Sequence, residues 1–134
     1  MTNFGWCVWL VPHKDHEWNS LTNDFPAHMT VQSHLSESQA KILVDKIKFI
    51  PDEIELIGGQ VCDKDDGFNS IFYKVKYQQY WWWPENAHVS FRYSYGMDLY
   101  PELYENPPKK ALTDRVVMVN CSTHFTTWEV NTVL

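Results

Sequence analysis

From Phe4 to Val11 the chain runs apolar and β-prone until Pro12, which predicts a first strand. Polar residues then dominate from His13 to Asp24, with Trp18 and Leu21 at helical spacing. A surface helix is expected there, ending before Phe25-Pro26, because the residue ahead of a proline is pushed out of helical geometry. A strand is expected next, from about Ala27 to Leu35. Ser36-Glu37-Ser38-Gln39 has the form of a capping box, and Ala40, Leu43, Val44 and Ile47 follow at helical spacing, so a helix is predicted from Glu37 to Phe49, closed by Pro51. Ile54 to Val61 and Ser70 to Tyr77 read as strands joined through the polar turn Asp63 to Gly67, which lacks the ligand spacing of a calcium loop. Gln78 to Glu85, with Trp81-Trp82-Trp83-Pro84, reads as a loop, and Ala87 to Tyr95 as a further strand. Gly96 to Thr113 is read as a long connection with a short helix around Leu99 to Glu105. Arg115 to Asn120 and Thr127 to Leu134 form a terminal hairpin.

Length and composition narrow this to one domain spanning residues 1–134. A chain of 134 residues, 44% hydrophobic and 21% charged, is long enough to bury a core. Neither end carries a basic segment followed by an apolar stretch, and no apolar run reaches the roughly 20 residues of a membrane-spanning helix, so a soluble, cytoplasmic monomer is expected. The net charge of −6 argues against a surface that tracks duplex phosphates, whereas a small phosphate ligand needs only a few local donors. Cys7, Cys62 and Cys121 are odd in number and include no C-x-x-C pair, which suits a reducing compartment and indicates neither a disulfide framework nor a zinc ribbon. No metal or cofactor is called for. His13 and His16, beside Asp15 and Glu17, read as exposed residues of a polar helix rather than as metal ligands.

The chemistry concentrates in two short runs that say the same thing, Ala27-His28-Met29-Thr30-Val31 and Ala87-His88-Val89-Ser90-Phe91. In an extended chain residues i and i+2 share a face, so each run sets an imidazole beside a hydroxyl while the apolar residues face the core. Two imidazoles and two hydroxyls supply a base, an acid and donors to anionic oxygens, the needs of phosphodiester hydrolysis. Histidine suits both proton roles because its ordinary pKa lies near about 6.5, and the pair predicts a bell-shaped rate profile between about pH 5 and 8. Strand parity adds Gln32 and His34 to the face of His28, and adds Arg92 to the face of His88, as a phosphate contact or a solvent-exposed side chain. Tyr93 falls on the opposite face from His88 and reaches the cleft only through a bulge, twist or strand end. Trp81 to Trp83 either bring a ring over a nucleobase, with Trp83 the candidate, or plug the core.

Phe25-Pro26-Ala27-His28-Met29-Thr30-Val31 and Asn86-Ala87-His88-Val89-Ser90-Phe91-Arg92-Tyr93 resemble the paired His-x-Thr/Ser motifs of the two-histidine (2H) phosphoesterase superfamily, nearest to its cyclic phosphodiesterase branch. Val8-Trp9-Leu10-Val11-Pro12, the Leu35 to Ala40 stretch and Tyr93 echo that branch, and the resemblance covers most of the chain. It implies an α+β domain of two antiparallel-sheet lobes related by a pseudo-twofold axis around a central cleft, with helices outside. It also implies His28 and His88 as catalytic residues, Thr30 and Ser90 as phosphate ligands, and His28 as the base by analogy. The expected substrate is a small cyclic phosphate on ribose, either a nucleoside 2′,3′-cyclic phosphate or ADP-ribose 1″,2″-cyclic phosphate. A 2′,5′-oligoadenylate or a short RNA end is the alternative within the same chemistry. A non-catalytic nucleotide- or RNA-binding module, or a β-rich interaction protein with both histidines in its core, is the alternative of another class.

Overall fold

Antiparallel pairing organises the computed structural model, which describes residues 4–22, 25–65, 68–95, 107–122, 128 and 130–131. The elements are β1 (Trp6–Pro12), α1 (Trp18–Leu21), β2 (His28–Leu35), α2 (Glu37–Lys46), β3 (Glu53–Asp65), β4 (Phe68–Val75), β5 (His88–Tyr95), β6 (Lys110–Asn120) and β7 (Val130–Asn131). The fold is α+β, a sheet in the order β1-β2-β5-β4-β3-β6-β7 with few helices. β1 also pairs with β6, so β1, β2, β5, β4, β3 and β6 close a ring of hydrogen-bonded strands. The ring closes between β3 and β6 through only Glu53↔Leu112, Ile54↔Ala111 and Glu55↔Lys110.

Alternation along the strands sorts side chains onto two faces. On one face Val8, Leu10, Met29, Val31, Ile71, Tyr73, Val89 and Phe91 join Ala40 and Val44 of α2 in the larger core. On the other, Cys7, Trp9, Val11, Phe25, Val117, Val119, Cys121 and Trp128 form a smaller cluster. β1 is therefore buried on both sides, as its unbroken apolar run permits. Among the described residues no helix is long and apolar enough to cross a membrane.

The capping box is present in full. Ser36 Oγ accepts from the Gln39 N–H at 3.1 Å and Gln39 Oε1 accepts from the Ser36 N–H at 2.9 Å. The helix stops at Lys46, short of Phe49, because the backbone turns extended at Ile47 and lets Ile47 and Ile50 pack on the core ahead of Pro51. Among the described residues between His13 and Thr22 only α1 is helical. Asn19 Nδ2 donates to the carbonyls of His13 and Lys14, giving the preceding residues a turn in place of a helix. β6 begins at Lys110, inside the stretch expected to be a connection, since Ala111 is drawn into the core beside β3. The short helix expected around Leu99 to Glu105 lies outside the described residues.

Candidate active site

β2 and β5 are antiparallel neighbours in the register His28↔Ser90 and Met29↔Val89, and the next step of that register sets Thr30 beside His88. The two motifs, far apart in sequence, thus lie head to tail, each histidine across from the other's hydroxyl. Met29 and Val89 point into the larger core and the four polar side chains into the opposite face. A cavity of about 180 Å3 there is lined by His28, Thr30, Ser33, His88 and Tyr93, with Trp9 and Trp128 as walls. It adjoins a cleft of about 700 Å3 over β4, to which His88, Ser90 and Tyr93 also contribute.

Both imidazoles are held in the same way. His28 Nδ1 lies 2.9 Å from the Pro26 carbonyl, and His88 Nδ1 lies 2.9 Å from the Asn86 carbonyl, in each case two residues back. A carbonyl only accepts, so Nδ1–H is the donor and Nε2 is the nitrogen left to exchange protons. Their surroundings differ. His28 is 1% exposed and stacks on Trp9 with ring centroids 3.6 Å apart and planes 13° from parallel, with Phe25 edge-on at 5.4 Å. Burial lowers its pKa from 6.5 to about 3; the hydrogen bond to Pro26 works against that shift, and the nearby His88 adds to it. His88 is half-buried and packs against Phe72 at 4.8 Å.

A β-bulge follows each motif at the same place. On β2, Thr30 pairs with Trp9 but Gln32 pairs with Val8; on β5, Ser90 pairs with Phe72 but Arg92 pairs with Ile71. In both strands one extra residue sits two to four positions after the histidine and reverses the alternation. The parity expected for Gln32 and Arg92 is therefore corrected. Gln32 is exposed beside Gln39, Ile42 and Trp81, and Arg92 Nε donates to the Leu21 carbonyl at 3.2 Å, lining neither cavity nor cleft. The positions they vacate are taken by Ser33 and Tyr93, each five residues after its histidine. Tyr93 stacks on Phe25 at 4.5 Å; burial pushes its phenol above the ordinary value, opposed by a hydrogen bond with Ser90. His34 does not share the face of His28 but sits exposed at positive φ, its Nδ1 2.9 Å from Ser33 Oγ.

Trp83 does not reach the cleft. It is buried in the larger core with Trp82 and Tyr80, and its indole N–H finds no acceptor among the described residues, while Trp81 is 68% exposed on the surface. His16 uses both ring nitrogens, accepting from the Trp18 N–H and donating to the Lys110 carbonyl. Among the described residues no group of three or more His, Cys, Asp or Glu is placed to hold a metal ion. Cys7 and Cys121 are free and line the small cavity; their mutual hydrogen bond and burial raise the Cys121 pKa, so that thiol stays uncharged.

Sequence reasoning missed Ser33, Trp9 and Phe72 as members of this site. The last had a signal, since Phe68, Ser70, Phe72 and Lys74 alternate with the buried Asn69, Ile71, Tyr73 and Val75. What the alternation lacked was the knowledge that β4 lies against β5, with Lys74 opposite His88. Comparisons with protein-family models, curated proteins and solved structures return no match.

Proposed function

We propose that the protein is a metal-independent phosphodiesterase that opens a small cyclic phosphate on ribose, a nucleoside 2′,3′-cyclic phosphate or ADP-ribose 1″,2″-cyclic phosphate, in the manner of the 2H phosphoesterases it resembles. The observation that carries this reading is the matched Nδ1 lock on the two histidines, which frees Nε2 of both beside two hydroxyls. The repeated bulge supports two similar halves, with pseudo-twofold symmetry around the cleft, as that family's fold implies.

The roles follow from the surroundings. His28, kept neutral by burial, takes a proton from water, and the oxygen bonds to phosphorus. The bond from phosphorus to one ribose oxygen breaks, and protonated His88 gives that oxygen its proton, leaving a ribose phosphomonoester. Thr30 and Ser90 donate to the non-bridging oxygens, where charge accumulates. Tyr93, protonated, lies within reach of the Ser90 hydroxyl to hold it in place. The working protein is a cytoplasmic monomer.

The test is a panel of nucleoside cyclic phosphates, ADP-ribose cyclic phosphate and short 2′,5′ and 3′,5′ oligonucleotides, read by product mass in the presence and absence of EDTA. A ribose phosphomonoester should appear with EDTA present. His28→Ala and His88→Ala should each lower kcat by at least about a hundredfold while leaving the protein folded. Full activity in either variant, or turnover abolished by EDTA and restored by a divalent ion, would overturn the mechanism. Nucleotide binding without any product would favour the non-catalytic module.

A further inference from the structure

The two histidines open onto unequal spaces. The one beside His28, about 180 Å3 and walled by aromatic rings, has room for a phosphate group and an attacking water; the one beyond His88 is about 700 Å3. The remainder of any substrate therefore lies over β4, on the side from which His88 reaches the leaving oxygen. That cleft is apolar where a ligand would touch it. Phe72 forms its wall against His88, while Ile57 and Tyr77, 44% and 62% exposed, are among the few large apolar side chains left open to solvent. Exposed apolar side chains gathered in a concave site mark a place for a ligand with an apolar face. Charge limits its length. Apart from His88, which already serves the phosphate, Lys74 is the one cation among the described residues lining either space, against the carboxylates Asp63 and Glu85. A polynucleotide needs a succession of cations along its phosphates, and this cleft offers one.

We propose that the β4 cleft is a nucleoside subsite in which one base stacks on Phe72, so that the protein selects a single nucleotide bearing the cyclic phosphate over a base-free cyclic phosphate and gains nothing from a longer chain. This rests on the phosphodiesterase reading, and the experiment separates the two. Wild type, Phe72→Leu and Phe72→Tyr are compared on adenosine 2′,3′-cyclic phosphate, glycerol 1,2-cyclic phosphate and a short RNA ending in a 2′,3′-cyclic phosphate, with binding of adenosine 2′-monophosphate measured by calorimetry. Leucine keeps apolar volume and so the fold, but removes the ring face. It should raise KM and Kd for the adenosine compounds about tenfold, with tyrosine restoring them. Because Phe72 also packs on His88, any change in kcat should fall on the adenosine and glycerol compounds alike, whereas the KM of the glycerol compound should stay within about twofold of wild type and the RNA should show a KM within about threefold of the mononucleotide. An equal rise in KM for the adenosine and glycerol substrates in Phe72→Leu, no rise for either, or an RNA KM more than about tenfold lower would overturn the subsite. Phe72-dependent binding of adenosine 2′-monophosphate without turnover of any substrate would overturn the phosphodiesterase reading and leave the subsite standing.

Discussion

At His28 a single ring is stacked by Trp9, edged by Phe25 and tied to the Pro26 carbonyl, and removal from water outweighs the bond that would favour its charge. The bell expected between about pH 5 and 8 is thereby reshaped, because the limb on which the base must lose its proton moves down to about pH 3. Proton NMR should show one histidine that does not titrate above about pH 4, and kcat/KM should have no rising limb between about pH 5 and 7. A rising limb near 6.5 in that window would show His28 to be solvated. The same shift links to stability. Above about 6.5 the ring is neutral both folded and unfolded; as pH falls from there toward about 3, the unfolded chain binds a proton that the folded chain refuses, and stability is lost. Between about pH 7 and about pH 4.5 urea titrations should show a loss in wild type exceeding that of His28→Leu by roughly 2–3 kcal/mol. The two histidines were legible in the sequence because the motif names them. Their difference was not, since it depends on Trp9, which reaches His28 from another strand.

For the elements, legibility followed the range of the interactions that build them. α2 was readable because Ser36 and Gln39 hold its first turn between them, and Ser36→Ala should cost about 1 kcal/mol in urea unfolding. α1 was over-read because Asn19 bonds to the backbone of its own approach, where periodicity alone sees helix. The bulges in β2 and β5 were beyond reach, since a bulge exists only relative to the strand alongside, and the pairing with β1 and β4 is not written locally. They decide which residues enter the site. Tyr93→Phe, which keeps the ring on Phe25 and removes the hydroxyl near Ser90, should lower kcat/KM about tenfold, the scale of one hydrogen bond in a buried polar network. Arg92→Ala, whose side chain turns toward Leu21, should leave KM unchanged within about twofold. If the arginine variant instead loses substrate affinity, β5 runs straight in solution and the bulge assignment fails.

In the whole molecule, β1, β2 and β6 on one side meet β3, β4 and β5 on the other along two short seams. One is β2 against β5, where the paired residues are His28↔Ser90 and Met29↔Val89; the other is β3 against β6, around Ile54↔Ala111. The seam that carries the candidate site is thus among the narrowest pairings in the sheet, and β2 and β5 each supply one histidine and one hydroxyl to it. Met29 and Ile54 are both fully buried, one at each seam. Truncating either to alanine removes apolar contact and leaves a cavity, at a cost of about 2–5 kcal/mol. Their effects on turnover should part company. Met29 lies between His28 and Thr30 and opposite Val89, so relaxation into its cavity shifts His28 and Thr30 against His88 and Ser90, the four residues proposed to act together. A misplacement of about 1 Å there is enough to cost up to about a hundredfold. Ile54 is held at the far seam, where Leu56 N–H also donates to the Lys109 carbonyl at 2.6 Å and Thr113 N–H to the Asp52 carbonyl at 3.0 Å, and its loss leaves the β2–β5 register alone. Measured well below both melting temperatures, kcat/KM should fall at least about tenfold in Met29→Ala and less than about threefold in Ile54→Ala, with KM moving little in either. Equal losses in the two variants would mean that the halves are held rigidly by the ring as a whole, and that the pairing of β2 with β5 does not set the catalytic geometry.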